Sequence, residues 1–177
     1  MRFCLLPYVL LPILVSSVAA KDLRIQNAAM TVQLSVQEAH YDVSITKTGW
    51  EFRGILEGPV TNGVVRRGTD RIGKYDEINF EWSAPARFRG SIRVYHNRNA
   101  IVFVETALES LNAAPPPFPS LRGIPANLHL LTYSEHEFGV PPVFASVGRG
   151  ENSPGVIHSG PVVLFDDSFS TCIISPS

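Results

Sequence analysis

The segment Ser91 to Leu108 constrains this chain more than any other. It reads Ser-Ile-Arg-Val-Tyr-His-Asn-Arg-Asn-Ala-Ile-Val-Phe-Val-Glu-Thr-Ala-Leu. Two runs rich in β-branched and aromatic residues flank the polar tetrad His96-Asn97-Arg98-Asn99, which predicts a β-hairpin closed by a four-residue loop. In the first run Ile92 and Val94 alternate with Arg93 and Tyr95, the pattern of a strand with one apolar face. The second run, Ile101 to Val104, is apolar on both faces and is therefore expected to be covered on both sides, in the middle of the fold. Such a strand needs layers above and below it, and the rest of the chain offers them as further strands.

Met30 to Gln37 alternates without interruption, Tyr41, Val43 and Ile45 repeat the pattern, and Trp50-Glu51-Phe52 begins a third run that Gly54 is expected to bulge. Three runs at this spacing predict a meander. Gly58-Pro59 and Asn62-Gly63 are turn signals, Val64-Val65 reads as a short strand, and Gly68 to Lys74 is a loop holding Asp70 between glycines. Phe80-Glu81-Trp82 opens a strand that Pro85 ends. Asn112 to Pro119 is a proline-rich link expected to run extended on the surface. Leu128 to Tyr133 is strand-like, and Pro161 to Phe165 with Ser170 to Ser175 forms a second hairpin about Asp166-Asp167-Ser168. Helical periodicity is missing apart from a single turn expected over Thr106 to Asn112. The expected fold is all-β: an antiparallel β-sandwich, super-sandwich-like, of roughly ten to twelve strands with long loops.

Residues 1–20 read as a signal peptide: a basic start at Arg2, an apolar core from Phe3 to Val15, and small residues at Ala19-Ala20. The core is too short for a membrane span, which needs about 20 apolar residues. The expected location is secreted, extracellular, with residues 21–177 as one β-sandwich domain. The stop at Ser175-Pro176-Ser177, directly after a strand, leads us to expect a domain truncated at its C-terminal end. Lys and Arg number 15 against 16 Asp and Glu, a net charge of −1, which gives no footprint for nucleic acid or an anionic membrane. Arg66-Arg67 and the arginines from Arg87 to Arg93 read as solvated edges and turns. Cys4 leaves with the leader, so Cys172 is expected as a lone buried thiol, or one whose partner lies beyond the chain.

No nucleophile elbow, zinc-protease helix motif, phosphate loop or dinucleotide fingerprint is present. His129 and His136 are spaced to opposite faces of a strand, so neither a metal nor a cofactor is expected. The carboxylates are more informative. Asp70, Asp76, Glu77 and Glu81 lie among Tyr75, Phe80 and Trp82, and sugar recognition uses aromatic platforms with carboxylates that accept hydroxyl hydrogens. The plainer alternative has the aromatics filling a core while the acids face water. Glu105 projects from an otherwise apolar strand, and Arg93 on the facing strand is its expected partner.

Gly68-Thr69-Asp70-Arg71-Ile72-Gly73-Lys74-Tyr75, Phe80-Glu81-Trp82, Arg93-Val94-Tyr95, Phe103, Phe118-Pro119, Gly160 to Asp166 and Ser175-Pro176 together resemble the amino-terminal β-domain of glycoside-hydrolase-like proteins, in particular the raffinose-synthase and family-36 α-galactosidase relatives. The resemblance implies a carbohydrate partner and a downstream (β/α)₈ barrel that carries the catalytic carboxylates, so no catalytic residue is expected in this chain. It leaves Asp70, Tyr75 and Trp82 as candidates for substrate contact. The alternatives are a stand-alone lectin-like glycan-binding module and a secreted interaction protein.

Overall fold

In the computed structural model, which describes residues 22–83, 86–111, 116, 118–132, 143–146, 162–168 and 170–174, the period-two runs become strands. In chain order they are β1 (Leu23–Gln26), β2 (Met30–Ser35), β3 (His40–Ile45), β4 (Trp50–Ile55), β5 (Val60–Thr69), β6 (Lys74–Ser83), β7 (Arg87–Tyr95), β8 (Ile101–Ala107), β9 (Leu121–Gly123), β10 (His129–Thr132), β11 (Val143–Ser146), β12 (Val162–Phe165) and β13 (Thr171–Ile174). Three antiparallel sheets result, ordered β1-β2-β3-β4-β9, β5-β6-β7-β8 and β11-β10-β12-β13. The chain is thus all-β among the described residues. Residues 1–21, where a signal peptide is expected, the residues after Ile174, and most of the proline-rich link lie outside them.

The first sheet is the expected meander with β1 added on its edge. Met30, Val32 and Leu34 face inward with Tyr41, Val43, Trp50 and Phe52. The second sheet turns Ile78, Phe80 and Trp82 of β6 and Phe88, Ile92 and Val94 of β7 toward the same interior. These side chains, with Leu128, Val162 and Leu164, form one hydrophobic cluster. The arrangement is sandwich-like: Tyr41 of the first sheet meets Phe103 of the second at 5.6 Å between ring centroids.

The proline-rich link departs from its expected surface course at its end. Phe118 enters the interior and lies 5.9 Å from Tyr41, 6.0 Å from Phe80, 5.4 Å from Trp82 and 5.6 Å from Phe103. One aromatic side chain thereby joins the two sheets, because burying its ring outweighs the preference of its proline neighbours for solvent.

Glycines accommodate the large rings. Gly54 stands opposite Tyr41, Gly68 opposite Tyr75 and Gly90 opposite Phe80. A Cβ at Gly54 would clash with the Tyr41 ring, one at Gly68 with the Tyr75 ring, and one at Gly90 would fall 2.6 Å from Phe80. Each ring covers the backbone of its glycine partner, the cross-strand rescue that offsets glycine's missing side chain. Gly54 also marks a register shift between β4 and β9, as its sequence context suggested.

The hairpin over Ser91 to Leu108 forms as expected, with Tyr95 N–H donating to Ala100 O at 3.4 Å. Its second strand is placed differently. β8 is an edge strand of its four-stranded sheet, and Ile101 to Val104 are half-buried. An apolar run on both faces signals partial cover on each; it does not specify a central place in the hydrogen-bonded order. β6 and β7 are the central strands instead.

Glu105 is likewise not bonded to Arg93. Register sets Arg93 against Val102 and Glu105 against Gly90, so the two side chains leave opposite faces of the sheet. Glu105 points inward, beside Phe103, and burial pushes its carboxyl above the ordinary value. A group of this kind favours its protonated form in the folded state. Its destabilising effect is therefore absent below the ordinary value of 4.5 and grows as pH rises above it. Glu105→Gln is expected to raise stability at neutral pH by up to about 1 kcal/mol and to leave it unchanged at acid pH, read from urea midpoints at the two pH values.

Candidate functional site

The 70–73 loop begins the site. Asp70 Oδ1 accepts the backbone N–H of Ile72 at 2.8 Å and of Gly73 at 3.2 Å, while Asp70 N–H donates to Gly73 O at 3.1 Å. An aspartate that bonds the backbone two residues on is the local reason this chain reverses here. Gly73 adopts φ +152°, a region that side chains rarely enter. Gly73→Ala is expected to destabilise by about 1–3 kcal/mol although its Cβ would meet open space, because the strain is in the backbone. Thermal unfolding of the variant checks this.

The second carboxylate oxygen of Asp70 points toward the outer face of the β5–β8 sheet. It accepts the Tyr95 hydroxyl at 2.7 Å and lies 3.6 Å from Arg93 Nη1. Arg93 Nε donates to Glu77 Oε1 at 2.7 Å, and Asn79 Nδ2 donates to Glu77 Oε2 at 2.6 Å. The Arg93 guanidinium also lies over the Tyr75 ring, 4.8 Å from its centroid, and Tyr75 meets Tyr95 edge-on at 5.5 Å. Tyr95 is 1% exposed despite its outward position, since Tyr75 and the Asp70 loop cover it.

The charges are set by these contacts. The Tyr95 hydroxyl first, then the two backbone N–H groups and Arg93, hold the Asp70 carboxyl below its ordinary value against some desolvation. Burial is the largest single influence on Glu77 and pushes it up, but the bonds from Arg93 and Asn79 and the Arg93 charge outweigh it, so Glu77 also lies low. Both groups are carboxylates at neutral pH.

Of the residues expected at a sugar site, Asp70 and Tyr75 are brought together. Trp82 is not: it is 2% exposed, stacked on Phe88 at 5.2 Å, on the opposite face of the sheet. Tyr75 is half-buried with its ring between Gly68 and Arg93, so it orients the arginine more than it offers a free platform. Asp76 sits at the margin of the inner face, 3.2 Å from His96 Nε2 and 3.4 Å from Arg67 Nε. Glu81 binds Arg89 and Asn62, both at 3.1 Å. Tyr95 and the Arg93–Glu77 pair are the members that the sequence reading missed.

Elsewhere, His129 Nε2 is 2.8 Å from Asp167, and His136 lies outside the described residues. Cys172 is half-buried, packed against the core, and burial pushes its thiol up. Among the described residues no group of three or more His, Cys, Asp or Glu side chains is placed to hold a metal ion.

Beside the network, the 70–73 and 96–99 loops flank a half-open depression of about 300 Å³ lined by Ile72, Gly73, Lys74, Tyr95, Asn97 and Arg98. Comparison of the chain with protein-family models, curated proteins and solved structures finds no match.

Proposed function

We infer that the chain is a secreted, carbohydrate-associated β-domain, the non-catalytic front part of a glycoside-hydrolase-like enzyme whose catalytic carboxylates belong to a downstream barrel. The observation that carries this reading is that Asp70 and Glu77 share one arginine. Glycoside hydrolysis needs a protonated acid and a second carboxyl facing across a gap that receives the scissile bond. Here a guanidinium stands between the two groups and both are held ionised. Such an arrangement supports positioning and recognition, and it opposes acid–base chemistry at this spot. The half-open depression at the same sheet end gives a sugar a place to rest, and it equally favours the second reading, a stand-alone lectin-like module.

The full chain, purified and offered a glycan array and aryl α-galactosides, should bind glycan without turnover. Hydrolysis by the chain itself would end the non-catalytic reading, and silence on every glycan would end the carbohydrate reading. Translation of the genomic sequence downstream of Ser177 separates front domain from lectin: continuing β/α alternation supports the first, an immediate stop the second.

A further inference from the structure

The charges around the depression do not balance. Its acidic neighbours already have partners nearby: Asp70 bonds Tyr95 and two backbone N–H groups and faces Arg93, and Asp76 Oδ1 lies 3.4 Å from Arg67 Nε and 3.2 Å from His96 Nε2 without a hydrogen bond. Two cations of the lining, Lys74 and Arg98, are exposed and have no ion pair among the described residues. Both project from anchored backbone. His96 N–H donates to Lys74 O at 2.9 Å, tying one loop to the other. Asn27 Nδ2 donates to Tyr95 O at 2.7 Å and to Arg98 O at 3.1 Å, pinning the 96–99 loop to the turn before β2. The cavity is thus held open by hydrogen bonds that a ligand need not supply, which lowers the ordering cost of binding.

On the carbohydrate reading above, we propose that this depression is a subsite for the anionic group of an acidic sugar, a uronate carboxylate or a sugar sulfate, and that neutral hexoses are not its ligands. Two cations in one concavity, neither with an ion pair among the described residues, repel each other, and an anion between them removes that repulsion while gaining charge-assisted hydrogen bonds. Arg98 can take two oxygens of a carboxylate or sulfate through its fork, Lys74 adds a point charge, and the Asn97 amide can bond a neighbouring hydroxyl. Ile72 gives an apolar flank to the ring. The volume is at the lower end for ligand pockets, which suits one sugar unit and not a long oligosaccharide. Solvent reaches the site, so the attraction weakens with salt.

The test is a titration of the isotope-labelled full chain, followed by NMR, with galacturonate, glucuronate, galactose and inorganic sulfate at low and high ionic strength. Uronates should shift the Ile72, Gly73 and Asn97 resonances and galactose should not. Lys74→Ala with Arg98→Ala should weaken uronate binding at least tenfold without moving the thermal midpoint, both side chains being exposed. Galactose binding as tightly as galacturonate and untouched by the double substitution would overturn the anionic subsite while leaving the carbohydrate reading intact. Sulfate that saturates the site and is not displaced by uronate would overturn it too, as an anion site without sugar recognition. Failure of every sugar to bind would remove both readings together.

Discussion

Trp82→Ala should cost about 3–5 kcal/mol, a large part of the roughly 5–15 kcal/mol that holds a domain of this size folded. Trp82 sits among Phe80 at 5.5 Å, Phe88 at 5.2 Å and Phe118 at 5.4 Å, and its ring shares the space above Gly90 with Phe80. Truncation opens a cavity that three flanking rings cannot collapse into, because each is fixed by its own strand or by the link that carries Phe118. Trp82→Phe keeps a stack on Phe88 and should cost much less, about 1–2 kcal/mol. Urea unfolding of both variants decides the matter. A Trp82→Ala protein within about 1 kcal/mol of the parent that had lost glycan binding would return Trp82 to the ligand-contact role, and would contradict its burial.

Why the sequence suggested otherwise for Trp82 is instructive. Tyr75, Phe80 and Trp82 all stand near acids, and composition cannot say which face of β6 each occupies. Period two can. Trp82 and Phe80 are an even distance apart and share the inner face, whereas Tyr75 is an odd distance from both and must leave the other side. The Arg93–Glu105 pairing yields to the same logic. A hairpin closed by His96 to Asn99 sets Arg93 opposite Val102 and Glu105 opposite Gly90, so the predicted turn already excluded the predicted pair. A fold-back near Pro85, which the sequence marks as a strand end, would likewise have set Glu77 opposite Arg93 and Tyr75 opposite Tyr95. What remained illegible is of another kind. The edge position of β8 and the entry of Phe118 into the core depend on how sheets are ordered and stacked, and local alternation carries no information about either.

Arg93→Met should cost about 2–3 kcal/mol at neutral pH, and the cost should shrink as the solution is made acid. Methionine preserves much of the arginine stem against Tyr75, so the substitution removes chiefly the charge and its hydrogen bonds. Glu77, whose side chain is 12% exposed, is then left ionised, with Asn79 still donating to it, and losing one partner of such a pair is more costly than the pair itself is stabilising. The sign of the pH effect follows from the depressed values of Glu77 and Asp70. Their contribution is fully present above the ordinary values of 4.5 and 3.8, and is lost as pH falls through the lower folded values. In the parent protein stability therefore falls over that acid range. In Arg93→Met the burial of Glu77 acts with less opposition, protonation relieves it, and the two unfolding curves converge. A penalty that stayed constant from neutral to acid pH would mean that Arg93 acts only by packing on Tyr75. Arg93→Lys separates the cases further: a lysine keeps the charge but lacks the fork that bonds Glu77 through Nε while approaching Asp70 through Nη1, so it should recover only part of the loss.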